Sequence, residues 1–452
     1  MAIASVVTLA AVTVASCGRS GGGSGGGSGG GKANAPTASP TATKEAAAAG
    51  DFGTLKGICG PGQATGATAR GVTNTEIRIG TLADPNNTVL PGIGQESFDV
   101  GSAFAKWCND AGGILGRKIV LTKRDSGLFN VAAKVIDACQ SDFMLVGSAN
   151  PLDAAGVKPR LACNMAQIPA YVTSSEAATA AQQVVIDSSI PQVSVGAWRV
   201  LAKKYPAAFQ ALSFVTVNGA GLDSFAERQR DALTTLGDKV VDFQKTPVTG
   251  VNNWRPYIES ARLKGAKAAI TLSPDISAYV RSFGDVGWKP ELLPLGVQNY
   301  NKGTIELAKA GVLPTTYVTT TYWPFEAAGQ NPATQQAITL IKSASKITPD
   351  FAHLQALNAW LLWATAAKAC GSQLTGSCVI DKAGSQKGWT GGGIIAPVDT
   401  HVGPGVLSDC FVLLRATPQG FVLDPDVTKP NKDIFNCDPA NVVVVTNTHT
   451  GG

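Results

Sequence analysis

From Ile77 onward, apolar and polar positions alternate between a short period and a long one. Ile77-Arg78-Ile79-Gly80-Thr81-Leu82 predicts a strand, and Asp84-Pro85-Asn86-Asn87 ends it with loop-forming residues. Between Gln95 and Asn109, Phe98, Ala105 and their apolar neighbours recur at helical spacing, and Ala111-Gly112-Gly113 stops the pattern. Ile119-Val120-Leu121 opens the next strand. Strand, helix and strand in so short a stretch form a βαβ unit, whose crossover is right-handed in nearly every known case.

The unit repeats. Residues 130–138 predict a helix, 143–147 a third strand and 170–172 a fourth. A second series places helices at 196–204, 224–236, 254–264 and 276–284, between strands at 211–217, 240–243, 268–272 and 292–296. Strands alternating with helices make parallel sheets covered on both faces. Two such series predict two doubly wound α/β lobes. A strand near 317–321 and helices at 332–346 and 351–370 follow. The last helix, with Leu354, Leu357, Leu361, Leu362, Trp360 and Trp363, is apolar almost all round, which predicts burial and makes the Trp pair core rather than a ligand platform. After a Gly-rich turn at 389–393, residues 410–414 and 441–445 read as antiparallel strands.

Ahead of this body the pattern is different. Met1 to Ser16 is uncharged and largely apolar, shorter than the roughly 20 residues of a spanning helix, and Val14-Ala15-Ser16 puts small residues before Cys17. Val-Ala-Ser-Cys resembles the lipobox of bacterial lipoproteins, whose signal is cut before a cysteine that then carries lipid. No Lys or Arg precedes the apolar run, so a start further upstream and an uncut anchor remain open beside this reading. Expected, then, are a signal peptide at 1–16 and a lipidated Cys17 that opens a Gly/Ser/Pro/Ala tether over 17–55. A tether of this composition spans roughly 30 to 35 Å.

Removing leader and tether leaves roughly 400 residues, more than one core usually serves. Lys and Arg number 37 against 32 Asp and Glu, a net charge of +5 with no basic cluster, which gives no ground for a nucleic-acid partner. Beyond Cys17, eight cysteines remain, an even number that suits an exported chain with four disulfides, in any of 105 connectivities by sequence alone. Chain order favours Cys370 with Cys378, flanking a turn-rich loop, and Cys410 with Cys437 in the last strand region. A zinc site would need CxxC or HxxxH spacing, which is absent, and the histidines at 353, 401 and 449 are far apart in sequence.

The stretch Trp107-Cys108-Asn109-Asp110-Ala111-Gly112-Gly113-Ile114-Leu115-Gly116-Arg117-Lys118-Ile119, between the strand at 77–82 and a strand ending Arg124-Asp125, resembles the leucine/isoleucine/valine-binding family. These are type I solute-binding proteins of ABC importers. The resemblance runs by order of elements from about Gly71 to the C-terminus. It implies two α/β lobes joined by three crossovers, near 186–194, 316–324 and 388–400, with the ligand enclosed between them. Lobe one would take 56–188 and 320–392, and lobe two 189–319 and 393–452. With that order, Cys59 with Cys108 and Cys139 with Cys163 become the expected remaining pairs.

Ligands of open α/β sheets sit beyond the carboxyl ends of the strands. The candidates are therefore Ser148 and Ala149 after the third strand, and Thr173, Ser174 and Ser175 after the fourth. Hydroxyls and backbone N–H groups there suit an anion, and the family holds a ligand carboxylate with matching Ser and Thr positions. Ser174 and Ser175 as plain caps of the helix containing Glu176 is the competing reading. The second lobe offers Asn218, Asp275 and Gln298. Amino-acid-binding relatives commonly place an acid near Gln298 to meet the ligand ammonium, and an amide cannot neutralise a cation. Asp275 could do so, or could cap a helix. Tyr322-Trp323-Pro324-Phe325 offers an aromatic wall or hinge packing.

Catalytic signatures are missing. Gly219-Ala220-Gly221 lacks the dinucleotide spacing, no GxxxxGK[ST] loop or GxSxG elbow occurs, and His353 falls inside the apolar helix. The expected protein is a receptor rather than an enzyme, without cofactor or metal, monomeric, and held by lipid on the outer face of the cell membrane. It would capture a small polar solute (an amino acid, amide or small carboxylate) and deliver it to an ABC permease. The alternative is a sensing or surface protein that reuses the fold.

Overall fold

The computed structural model describes residues 49–186, 190–219, 221–273, 276–344 and 348–449. Cys17, the leader and most of the tether therefore lie outside the described residues, as does Asp275.

The first sheet is wholly parallel: β1 (Glu76–Ala83), β2 (Lys118–Asp125), β3 (Met144–Val146) and β4 (Gln167–Ile168), in the order β2-β1-β3-β4. Alternation sends Ile77 and Ile79 of β1 to one face, with Phe104 and Trp360, and Leu82 to the other, with Val131 and Val135. Helices Gln95–Asp110 and Phe351–Cys370 pack on each other beside the first face. The fourth strand forms at Gln167–Ile168, ahead of its predicted place at 170–172, because β3 pairs there: Leu145 faces Gln167 and Val146 faces Ile168.

The second lobe opens with β5 (Gln192–Ser194), then β6 (Leu212–Val217), β7 (Val240–Thr246), β8 (Ala268–Thr271), β9 (Leu292–Leu295) and β10 (Thr315–Thr320). The returning chain adds β11 (Cys410–Thr417), β12 (Gly420–Leu423), β13 (Asn436–Cys437) and β14 (Val442–Val444). The main sheet runs β12-β11-β10-β9-β8-β6-β7, with β13 on β11, while β14 pairs with β5. From β10 to β7 it is parallel, and β11, β12 and β13 add antiparallel strands. Both sheets carry helices, so the fold is α/β with two lobes. The chain passes between them after β4, after β10 and before β11, and isolated bridges Val184–Val402 and Tyr322–Ile395 tie these passages together.

Helix Phe351–Cys370 is the central post of the first lobe. Asp350 caps its start, with His353 in a reciprocal capping box, and Trp360 and Trp363 are both fully buried. The sequence 322–325 packs rather than lining a cavity: the Tyr322 ring meets Phe351 edge-on at 5.2 Å, and Trp323 meets Phe435 at 6.0 Å. Disulfides join Cys59 to Cys108, Cys139 to Cys163, Cys370 to Cys378 and Cys410 to Cys437.

The packed body begins earlier than the tether boundary at residue 55. Phe52 is fully buried beside Trp107, the Gly53 N–H donates to Gln336 Oε1 (2.9 Å) and the Thr54 N–H to the Gly392 carbonyl (3.0 Å). An aromatic ring that finds a core outweighs the small residues before it. All the described residues belong to one compact unit, and none of their helices is long and apolar enough to cross a membrane.

Candidate functional site

In each sheet the central strand has a later strand on either side: β1 lies between β2 and β3, and β6 between β7 and β8. Such reversals of strand order open a crevice at the carboxyl ends of the strands. Here the two crevices join in one cleft of about 730 Å³, within the range of pockets that enclose small molecules.

The first lobe supplies Val89, Leu90 and Ile93 from the loop after β1, Glu96 from the helix that follows, Ala149 and Leu152 after β3, and the run Tyr171 to Ser174. Asp350 and Phe351 add the start of the central post. The second lobe supplies Val215 to Val217 at the end of β6, Phe225 and Arg228 from the next helix, Pro247 and Val248 after β7, Leu272 and Ser273 after β8, and Gln298 and Tyr300 after β9. Carbon dominates both walls.

Local chemistry fixes the loop after β3. Gly147 takes a φ of +66°, and its N–H donates to the Ile168 carbonyl (2.8 Å). The next two residues are then tied to the sheet: the Ala149 N–H donates to Leu82 O (2.9 Å), and Ser148 Oγ accepts from the Leu82 N–H (3.1 Å). Ser148 thus holds the end of β1 and lines a small separate cavity of about 30 Å³ with Arg160 and Asp153. After β4, the Thr173 and Ser174 N–H groups donate to the Asp153 carboxylate (2.6 and 3.0 Å), and Ser174 Oγ accepts from Ala177 as a helix cap (3.1 Å).

Of the candidates, Ala149, Thr173, Ser174 and Gln298 therefore come together on the cleft wall, while Ser148 lines the smaller cavity. Asn218 is exposed and is not among the lining residues; its N–H donates to Thr246 O (2.7 Å).

Sequence reasoning missed the charged members of the wall, Glu96, Asp350 and Arg228. Burial, then the neighbouring charge of Asp350, pushes the Glu96 carboxyl up to about 7. Burial also raises Asp153 to about 6, against the hydrogen bonds it accepts, and raises the Tyr171 phenol well above its ordinary value. The Arg228 guanidinium, only 3% exposed, is lowered by burial. Arg228 stands one turn before Ala232 on the buried side of helix Leu222–Thr235, where a cation is unusual.

The sequence matches the family described as periplasmic binding protein over residues 76–420. No curated protein matches it. Among solved structures, a fatty acid ABC transporter substrate-binding protein from Thermomonospora curvata is similar, with a TM-score of 0.64 at 15% identity over 79% of this chain and 93% of that one. An extracellular ligand-binding receptor from Rhodopseudomonas palustris also gives 0.64, at 12% identity over 77% of this chain and 100% of that one. A branched-chain amino acid transporter substrate-binding protein from Streptococcus pneumoniae, solved with isoleucine, gives 0.59 at 13% identity, again over 77% and 100%. Identities this low carry the fold alone.

Proposed function

The chain belongs to the periplasmic binding protein family, and from that premise we propose that it captures one small-molecule solute between its two lobes and delivers it to the permease of an ABC importer. The family is extracytoplasmic, and its members bind substrates rather than transform them. One observation carries the proposal for this chain: a single cleft of about 730 Å³ walled by the carboxyl ends of strands from both sheets. A ligand there touches both lobes only when they are together, so binding favours the closed arrangement.

Ala149, Thr173, Ser174 and Gln298 are the proposed ligand-facing residues, with Ser148 and Asn218 as supports of the strand ends behind them. Lobe one takes 56–188 and 320–392, and lobe two the remainder to 452, with the strap from residue 50 added to lobe one. Lipid on Cys17 would hold a monomeric receptor at the outer face of the membrane. Structures of similar fold include one named for fatty acids and one solved with isoleucine, so apolar carboxylates and amino acids both belong in the trial. Thermal-shift screening across amino acids, amides and carboxylates tests the reading. Bound ligand at a hundred times its Kd adds about 2.7 kcal/mol of stability, and a panel that leaves the melting point unmoved throughout sinks solute capture.

A further inference from the structure

We propose that the cleft takes a monocarboxylate with an extended apolar body, whose head group is held by Arg228. This rests on reading the cleft as a solute site and narrows the solute to one class.

Arg228 is buried on the cleft wall, and its Nη1 donates to Ser175 Oγ (3.3 Å) and to the Thr448 carbonyl (2.9 Å). Among the described residues no carboxylate forms an ion pair with it, hydrogen bonds are made by Nη1 alone, and the guanidinium lies over the Phe225 ring at 5.7 Å. The acids nearest in sequence are committed elsewhere: Glu227 to Lys245 (2.9 Å) and His449 (3.2 Å), Asp231 to His449 (2.7 Å) and Arg230 (3.1 Å). A buried cation without a counter-ion is costly, and an arriving anion relieves that cost. The planar guanidinium fork matches a carboxylate at two points.

Much of the cleft wall beyond this cation is carbon. The hydroxyls at the strand ends are turned inward, Thr216 Oγ1 donating to Leu222 O (3.2 Å) and Thr246 Oγ1 to Thr216 O (3.1 Å). Phe225 and Val248, 39% and 42% exposed, present large apolar surface on the cleft, as a wall waiting for an apolar body does. The other charged lining residues, Glu96 and Asp350, are acids. A second carboxylate on the ligand would therefore find no cation among the described residues.

Isothermal titration of the full chain with decanoate, decanamide, decanedioate and leucine tests this. Decanoate is expected to bind at least about tenfold tighter than the other three, as a charge-assisted hydrogen bond implies, and each methylene removed should weaken it about fourfold. Arg228→Gln should erase the advantage of decanoate over decanamide. The comparison within the parent protein needs no variant, so a poorly folding Arg228→Gln leaves the test intact. Equal binding of decanoate and decanamide, or tighter binding of leucine, overturns the inference while leaving solute capture standing. Failure of all four together with the wider panel overturns both.

Discussion

Arg228 of the second lobe donates to the Ser175 hydroxyl of the first at 3.3 Å. Beside that contact Gly221, at a φ of +77°, lies so close that a Cβ on it would come within 2.4 Å of the Ser174 Cα. The lobes meet at this edge of the cleft, where the proposed head-group site lies. Contacts that exist only when the lobes are together couple ligand capture to closure.

Gly221→Ala is expected to weaken ligand affinity about tenfold, because the new methyl group would hold the lobes apart at Ser174. Its left-handed backbone adds about 1 kcal/mol of folding cost. Titration beside a denaturant melt separates the two effects, and an unchanged affinity would show that this contact plays no part in closure.

The Glu96 carboxyl is held at about 7, against 4.5 in an ordinary setting, first by burial and then by Asp350. Between those values the folded chain keeps a proton that the unfolded chain has lost, so the Glu96 contribution to stability is full below the unfolded value and falls as pH rises through 7. Glu96→Gln should raise the melting point at pH 8 and leave it nearly unchanged at pH 4. A shift of equal size at both values would refute this account of Glu96.

Cys59 and Cys108 pin the strap that carries Phe52 onto helix Gln95–Asp110. Replacing both by Ser should cost about 2 to 5 kcal/mol and raise hydrogen exchange at residues 50–60 before the rest of the lobe. Unaltered exchange there would mean that the burial of Phe52 suffices.

Gly147 sits between β3 and the ligand wall, and a Cβ there would lie 2.8 Å from Trp360 Nε1 in a left-handed backbone position. Gly147→Ala is expected to lose about 1 to 3 kcal/mol and to disturb the position of Ala149. A melting point within a degree of the parent would argue against so rigid a packing of the Trp360 ring.

The strands and helices of both lobes were legible because their apolar periods were strong: Ile77 and Ile79 announce β1, and the all-round apolar run near Trp360 announces a buried helix. The lobe walls were legible only as strand ends. Ser148 and Thr173 have similar local sequence settings, and which one reaches the cleft depends on where β4 pairs, a long-range fact. Phe52 was hidden by the small residues before it. Arg228 was hidden because an arginine on a helix reads as solvated until its neighbours Glu227 and Asp231 are seen to face Lys245 and His449.

Capture as proposed puts one solute molecule in the space between the lobes. Isothermal titration with the strongest binder of the panel, on the parent chain and on Val217→Trp, tests it most directly, since Val217 lines the cleft and is only half-buried. The expected result is one molecule per chain in the parent and at least about tenfold weaker binding in the variant, with the melting point of the free protein little changed. Saturable binding of equal strength in Val217→Trp would place the ligand elsewhere and contradict the account.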